Sequence, residues 1–173
     1  MDGMRLAIVV SVVYLMSLPC HAADADCTAF TWDMTHELQL FADAGMPLVT
    51  GTTEQGAPRV EVDTLYAVDL HPLGDVVLAH APGSRVAADA GARGLLALRV
   101  PAEGRYRISL DAPMWIDVIR AGQPIISTAF QNGGTCRVIH KSVEWSLPAG
   151  GDLVVQLAGS PKDHAKLAVT RVQ

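Results

Sequence analysis

Two histidines near a predicted turn are candidates for chemistry in this chain. Of the six histidines, five follow residue 22, and none stands in a recognised catalytic motif. His71 and His80 flank a predicted hairpin around the turn 71–74, which would let the two rings meet in space, with Asp69 or Asp75 nearby. Imidazole and carboxylate donors suit a transition metal. These two histidines are therefore weak candidates for a metal site, and no cofactor is predicted.

A second group of residues has the chemistry of ligand binding. Trp115 and Asp117 lie on one side of a predicted strand, and Arg105 and Arg107 lie on one side of the strand before it. An outward tryptophan beside these charged groups would form a platform for sugar stacking or peptide docking. Because buried tryptophans are commoner in β-sandwiches, the core position is favoured for Trp115. The four residues are the predicted ligand-binding set.

The first 22 residues have the pattern of a cleavable signal peptide. The apolar segment Leu6–Leu18 is too short to span a bilayer comfortably, and Ala22 suits a signal-peptidase cut. Translation from Met4 would remove the unfavourable Asp2, and lipidation at Cys20 stays an open alternative. We therefore expect a periplasmic or secreted protein that is not an integral membrane protein once residues 1–22 are removed.

Two cysteines remain after the predicted cleavage, Cys27 and Cys136. In an oxidising compartment such a pair predicts one disulfide bond. The bond would close a loop of roughly a hundred residues and stabilise the fold by about 4–5 kcal/mol in the chain-entropy model. A catalytic or metal-binding thiol is the alternative, but no Cys-x-x-Cys spacing supports it.

The composition limits the class of partner. The chain has 173 residues with 13 basic and 18 acidic side chains, a net charge of −5, and no basic cluster. Nucleic acid and anionic membrane surfaces are therefore unlikely partners. No linker or internal repeat divides residues 23–173, so we predict a single domain.

The elements that must position these residues are mostly short strands. An apolar stripe at helical spacing, Phe30, Met34, Leu38 and Phe41, predicts one helix over 30–42, with His36 and Glu37 on its exposed face. Alternating or apolar segments separated by turn residues predict strands near 65–70, 76–80, 95–100, 105–110, 114–119, 125–130, 143–147, 153–157 and 167–169. Alternation places Tyr106 and Trp145 in the core. The pattern predicts a mainly β fold, an antiparallel β-sandwich or jelly roll with one N-terminal α-helix.

Several segments carry a family resemblance: Gly104–Leu110, Trp115–Ile119, Cys136, Lys141–Trp145 and Leu153–Gly159. Their order resembles the strand pattern of bacterial pre-peptidase C-terminal domains, which are small β-sandwiches of exported proteins. Trp32-Asp33 is similar to a feature of uncharacterised exported proteobacterial proteins, some of which are labelled homogentisate dioxygenase. That enzyme needs an iron held by two histidines and a carboxylate, and no compact cluster of this kind occurs in the sequence. The resemblance implies a sandwich fold and no particular reaction.

The sequence thus favours an exported binding or accessory module of the cell envelope without catalytic activity. Its partner would be a small ligand, a glycan or an envelope protein. The alternative is a small exported metal-dependent hydrolase or oxygenase that uses His71 and His80.

Overall fold

The computed structural model describes residues 27–82 and 91–172. The predicted signal peptide, residues 1–22, lies outside the described residues. Within the described ranges the chain forms a helix, α1 (Thr35–Phe41), a 3-10 turn (Leu73–Asp75) and eleven strands. The strands are β1 (Met46–Val49), β2 (Arg59–Val60), β3 (Leu65–Asp69), β4 (Ala92–Leu98), β5 (Gly104–Leu110), β6 (Trp115–Arg120), β7 (Gln123–Ile125), β8 (Ala129–Asn132), β9 (Lys141–Leu147), β10 (Leu153–Ser160) and β11 (His164–Arg171).

The strands form two sheets. Sheet A has the order β1-β3-β11-β5-β9-β8, and sheet B has the order β2-β4-β10-β6-β7. Neighbouring strands are antiparallel, apart from the short parallel pairs β1–β3 and β2–β4. The mainly β class, the two-sheet sandwich and the short helix near the N-terminus are confirmed.

Alternate residues of the two sheets meet in a common hydrophobic core. Tyr106 on β5 and Trp145 on β9 are cross-strand partners, and both are fully buried, as predicted. Ile116 and Val118 on β6 and Val155 on β10 belong to the same core. Because side chains alternate along a strand, the residues between them lie on the outer faces of the sheets.

The outer face of each sheet is covered by chain outside the strands. On sheet A, Phe30, Met34 and Phe41 pack with Cys136 and Ile139. On sheet B, residues 76–79 pack over β4, β6 and β10. The polar rows on the outer faces are therefore shielded from water in places where a two-layer sandwich would expose them.

Three predicted elements have different boundaries in the structure. The helix begins at Thr35 instead of residue 30, because the Asp33 carboxylate accepts the Thr35 backbone N–H at 2.9 Å and starts the helix there. Residues 76–80 form no strand, because they cross the outer face of sheet B and pack on it. The predicted strand at 125–130 is two strands, β7 and β8, because the chain passes there from sheet B to sheet A.

The predicted disulfide bond is present between Cys27 and Cys136, and it ties the segment before α1 to the loop before β9. Gln131 on β8 holds the same segment through two hydrogen bonds. Its side-chain oxygen accepts the Thr31 N–H at 2.9 Å, and its amide nitrogen donates to the Thr31 hydroxyl at 2.5 Å. In the described part of the chain, no helix is long and apolar enough to cross a membrane.

Candidate functional site

A cleft lies between α1 and the outer face of sheet A, and we call it the helix cleft. Its volume is about 500 Å³. Trp32, Asp33, Thr35, His36, Glu37 and Gln39 line it from the helical side, and Arg105, Arg107, Glu144, Arg171 and Val172 line it from the sheet. The disulfide bond and the Thr31–Gln131 hydrogen bonds hold the helical side in place. The cleft therefore depends on contacts between distant parts of the chain.

Strand register builds the floor of the helix cleft. Arg107 on β5 lies directly opposite Thr170 on β11 and Glu144 on β9. The three side chains form one row across three strands, on the face away from the core. Helix α1 places Glu37 above this row, where its carboxylate accepts the Thr170 hydroxyl at 2.6 Å.

Arg107 links the two carboxylates of the floor. It donates from Nη1 to Glu37 at 3.0 Å and from Nη2 to Glu144 at 2.8 Å. The three side chains are only 5–7% exposed. Burying charges is costly unless they are paired and hydrogen-bonded, so this trio is a specific arrangement and not a chance surface contact.

Further contacts fix the guanidinium of Arg107. It donates to the Asp33 carbonyl oxygen at 3.0 Å, and its Cζ lies 4.7 Å from the centre of the Trp32 ring. The next row of the sheet is polar as well, since the Ser109 and Ser142 hydroxyls hydrogen-bond at 2.7 Å and are fully buried. Arg107 thus positions the rim of the cleft as well as its floor.

The rim of the helix cleft offers exposed polar groups. The Arg105 side chain is 57% exposed, and its guanidinium lies 3.5 Å from the second oxygen of Glu144. Hydrogen bonds from the Thr35 side chain and backbone hold the pKa of the exposed Asp33 carboxyl below its ordinary value. The lining as a whole has three arginines and three carboxylates, so its formal charges balance.

No family model, curated protein or solved structure matches the chain. The resemblance to pre-peptidase C-terminal domains therefore stays a prediction. What the site can do must be argued from its own geometry.

The predicted ligand-binding set is divided between two faces of the molecule. Arg105 and Arg107 lie on the outer face of sheet A, in the helix cleft. Trp115 and Asp117 lie on β6, in sheet B, and alternate with core residues. The idea that Trp115 and Asp117 stand beside the two arginines is wrong, because the sandwich core separates them. Trp115 is half-buried outside the core, so the favoured core position for it is wrong as well.

Asp117 has an enclosed environment of its own on sheet B. Its carboxylate accepts the Trp115 indole N–H at 2.8 Å and the Gln156 amide at 3.3 Å. Burial raises the pKa of Asp117 above its ordinary value, although these hydrogen bonds act in the opposite direction. Burial also lowers the pKa of Lys141, whose ammonium lies 5.7 Å from the Trp115 ring centre.

The hydrogen bonds of Gln156 give this cluster a structural role. The Gln156 side chain is fully buried, accepts the His80 backbone N–H at 3.1 Å and donates to the His80 carbonyl at 3.0 Å. It therefore fixes the segment that covers sheet B, and Asp117 orients the Gln156 amide. The carboxylate of Asp117 is engaged in this support.

His71 and His80 are engaged by separate parts of the chain. The His71 ring donates from Nε2 to the Thr50 carbonyl at 2.6 Å, and the backbone of His80 is held by Gln156. The predicted hairpin between them does not form. Across residues 27–82 and 91–172, no three His, Cys, Asp or Glu side chains are placed to hold a metal ion together.

Of the residues that line the helix cleft, only Arg105 and Arg107 are predicted as site residues, and Trp32, Glu37 and Arg171 are among those missed. Glu37 was expected on an exposed helix face, whereas it is buried against Arg107. His36 does lie on an exposed face, and its ring is 2.8 Å from Asp63. The local signal that Glu37 could be buried is its position beside the apolar residues of the helix. Its partner, Arg107, is 70 residues away along the chain.

Proposed function

We propose that the protein is an exported binding module without catalytic activity, which takes a saccharide into the helix cleft. Export is supported by the predicted signal peptide and by the Cys27–Cys136 bond, since disulfide bonds are typical of oxidising compartments. The pre-peptidase-like resemblance to exported sandwiches points in the same direction. The ligand class is argued from the residues that line the cleft.

The balance of donors and acceptors in the helix cleft carries the proposal. Guanidiniums donate only, carboxylates accept only, and a sugar hydroxyl does both. A lining with three arginines, three carboxylates and the Trp32 ring therefore matches a polyhydroxylated ligand. A purely apolar ligand would desolvate the exposed charged groups of the rim, such as Arg105 and Asp33, without replacing their hydrogen bonds to water. A small inorganic ion would contact only one class of group in the lining.

The ion pairs in the floor of the helix cleft favour a binding role over a catalytic one. Glu37 and Glu144 are the most enclosed acids of the cleft, and both are paired with Arg107 at 3.0 Å or less. A general acid must hold and release a proton in the working pH range. Glu37 and Glu144 are each only 5% exposed and are held by Arg107, so neither is presented to a ligand as a proton donor. These acids are better suited to orient Arg107 and the rim.

The proposal is tested by binding the full chain to an array of immobilised neutral and acidic oligosaccharides, followed by titration of each hit. Intrinsic fluorescence reports the event, because Trp32 lines the cleft. We expect saturable binding. Replacing Trp32 by Phe should weaken binding about three- to tenfold, the range of an aromatic contact. Arg105→Gln removes an exposed donor at the rim and should weaken binding about tenfold.

Trp115 provides the matched control. Like Trp32, Trp115 is half-buried. It lies on sheet B, where its indole N–H is hydrogen-bonded to Asp117, so Trp115→Phe should leave the affinity unchanged. Thermal unfolding of each variant checks that the fold is retained. If Trp115→Phe abolished binding and Trp32→Phe did not, the binding site would lie on sheet B and the proposed site in the helix cleft would be wrong. Release of shortened sugars during incubation would contradict a module without catalysis.

A further inference from the structure

The helix cleft shares a lining arginine with each of two other clefts. One, the β2 cleft, has a volume of about 640 Å³ and is lined by Arg59, Arg99 and Arg171 among others. The second, the β7 cleft, has a volume of about 500 Å³ and includes Arg105 and Arg120. Arg171 lines both the helix cleft and the β2 cleft, and Arg105 lines both the helix cleft and the β7 cleft. Each junction between clefts is therefore an arginine.

These arginines are largely free to meet a ligand. Among the described residues, Arg59, Arg99, Arg120 and Arg171 make no ion pair with a carboxylate within 4.0 Å. Arg99 donates only to the Gly150 carbonyl at 3.2 Å, and Arg171 donates weakly to the Glu103 carbonyl at 3.4 Å. Guanidinium groups held by single carbonyl contacts keep most of their donors available.

The choice of arginine over lysine points to a planar anionic group. None of the lysines that the structure describes, Lys141, Lys162 and Lys166, lines any of the three clefts. The planar guanidinium fork matches the two oxygens of a carboxylate, whereas an ammonium is a point charge. A ligand with carboxylates suits these clefts.

The arginines without an ion pair lie toward the flanks. Counted once each, the three clefts have six arginines and six carboxylates, so their formal charges balance as a whole. In the centre, Arg105 and Arg107 both contact Glu144. In the flanks, Arg59, Arg99 and Arg120 have no carboxylate partner among the described residues. The guanidiniums that a ligand carboxylate could pair with are therefore those of the flanks.

We infer that the ligand is a carboxylate-bearing oligosaccharide chain that passes over Arg171 and Arg105 and occupies all three clefts. This inference rests on the proposed saccharide binding in the helix cleft. Hydroxyl groups of the chain meet the balanced centre, and its carboxylates meet the arginines of the flanks. The concave clefts suit a chain better than a flat anionic membrane surface.

The test is the length dependence of binding, measured by calorimetry on the full chain with galacturonate oligomers of two, four and eight units. We expect the affinity to rise with length. The double variant Arg59→Gln/Arg99→Gln should lower the affinity for the octamer about tenfold, about threefold for each exposed charge pair. We expect the dimer to occupy the helix cleft alone, so its affinity should not change in that variant. Arg137→Gln, at an exposed arginine outside the three clefts, is the matched control and should have no effect.

Each result separates the two proposals. Affinity that is independent of length, yet still sensitive to Trp32→Phe, overturns the extended chain and keeps the saccharide cleft. Equal affinity for neutral cello-oligomers overturns the carboxylate requirement. Binding of no oligosaccharide overturns both proposals. Binding confined to phosphatidylglycerol vesicles or to oligonucleotides also overturns both, in favour of that other partner.

Discussion

Replacing Arg107 by Met is the change within the helix cleft to which we expect the fold to respond most strongly. The substitution keeps an unbranched apolar side chain in place of the arginine stem and removes the cation from two carboxylates that are each 5% exposed. Breaking a buried ion pair on one side costs roughly 3–5 kcal/mol, because a buried charge is left uncompensated. Glu144 keeps Arg105 at 3.5 Å, whereas Glu37 keeps only the Thr170 hydroxyl. We therefore expect the lower end, about 3 kcal/mol, which corresponds to a fall in Tm of about 6–12 °C.

The measurement is urea unfolding at pH 7, followed by tryptophan fluorescence and circular dichroism. The triple variant Arg107→Met/Glu37→Gln/Glu144→Gln has no buried charge and should recover most of the loss. Arg105→Met is the control, and as an exposed partner it should cost at most about 1 kcal/mol. A loss below about 1 kcal/mol in Arg107→Met at pH 7 would refute the reasoning.

Three other variants test separate features. Replacing Cys27 and Cys136 by Ser should lower the free energy of unfolding by roughly 4–5 kcal/mol, because the bond closes a loop of 109 residues; equal unfolding midpoints with and without reductant would contradict this. Burial raises the pKa of Asp117 above 3.8, so its contribution to stability is present below that pH and is lost as the pH rises through the raised pKa. The stability of Asp117→Asn relative to wild type should therefore increase with pH from about 4 upward in a series of urea titrations, and a constant difference would exclude this effect. Gly133→Ala places a Cβ against the backbone of the following loop and should cost roughly 1–3 kcal/mol, whereas Gly74→Ala, with open space around it, should cost little in the same assay.

Sequence reasoning found the strands that have one face in the core and alternate clearly. On β5, Tyr106 and Ile108 alternate with polar residues, and the structure buries the apolar set as expected. The same pattern suggests that the polar face meets water, and this is wrong for Arg107 and Ser109. Period-two alternation identifies the side that faces the core, but it says nothing about what later covers the other side.

Short elements at the sheet edges escaped prediction for a different reason. Strands β1 and β2 have four and two residues, and β1 contains Pro47. Both are stabilised by parallel pairing with strands elsewhere in the chain, so the local sequence pattern does not predict them. The segment 76–80 misleads in the opposite way, because its alternation reflects packing on sheet B and not strand pairing.

The candidate site was predicted in part. Arg105 and Arg107 lie in the helix cleft, because alternation in β5 correctly places them on one face. Trp115 and Asp117 belong to the other sheet, which the order of strands along the chain could not reveal. Trp32 reaches the cleft through an irregular segment that the disulfide bond positions, and no local rule gives the path of such a segment.

The position of β11 has a consequence for the order of assembly. It is the last strand that the structure describes, and yet it lies in the middle of sheet A, between β3 and β5. Until it is in place, β3 has no link to β5, and Glu37 lacks the Thr170 hydroxyl. During synthesis from the N-terminus, the β1–β3 pair must therefore stay separate from the β5–β9–β8 group until this late segment arrives. The helix cleft can be completed only at that point, so a chain that stops before β11 should be unable to bind a ligand there.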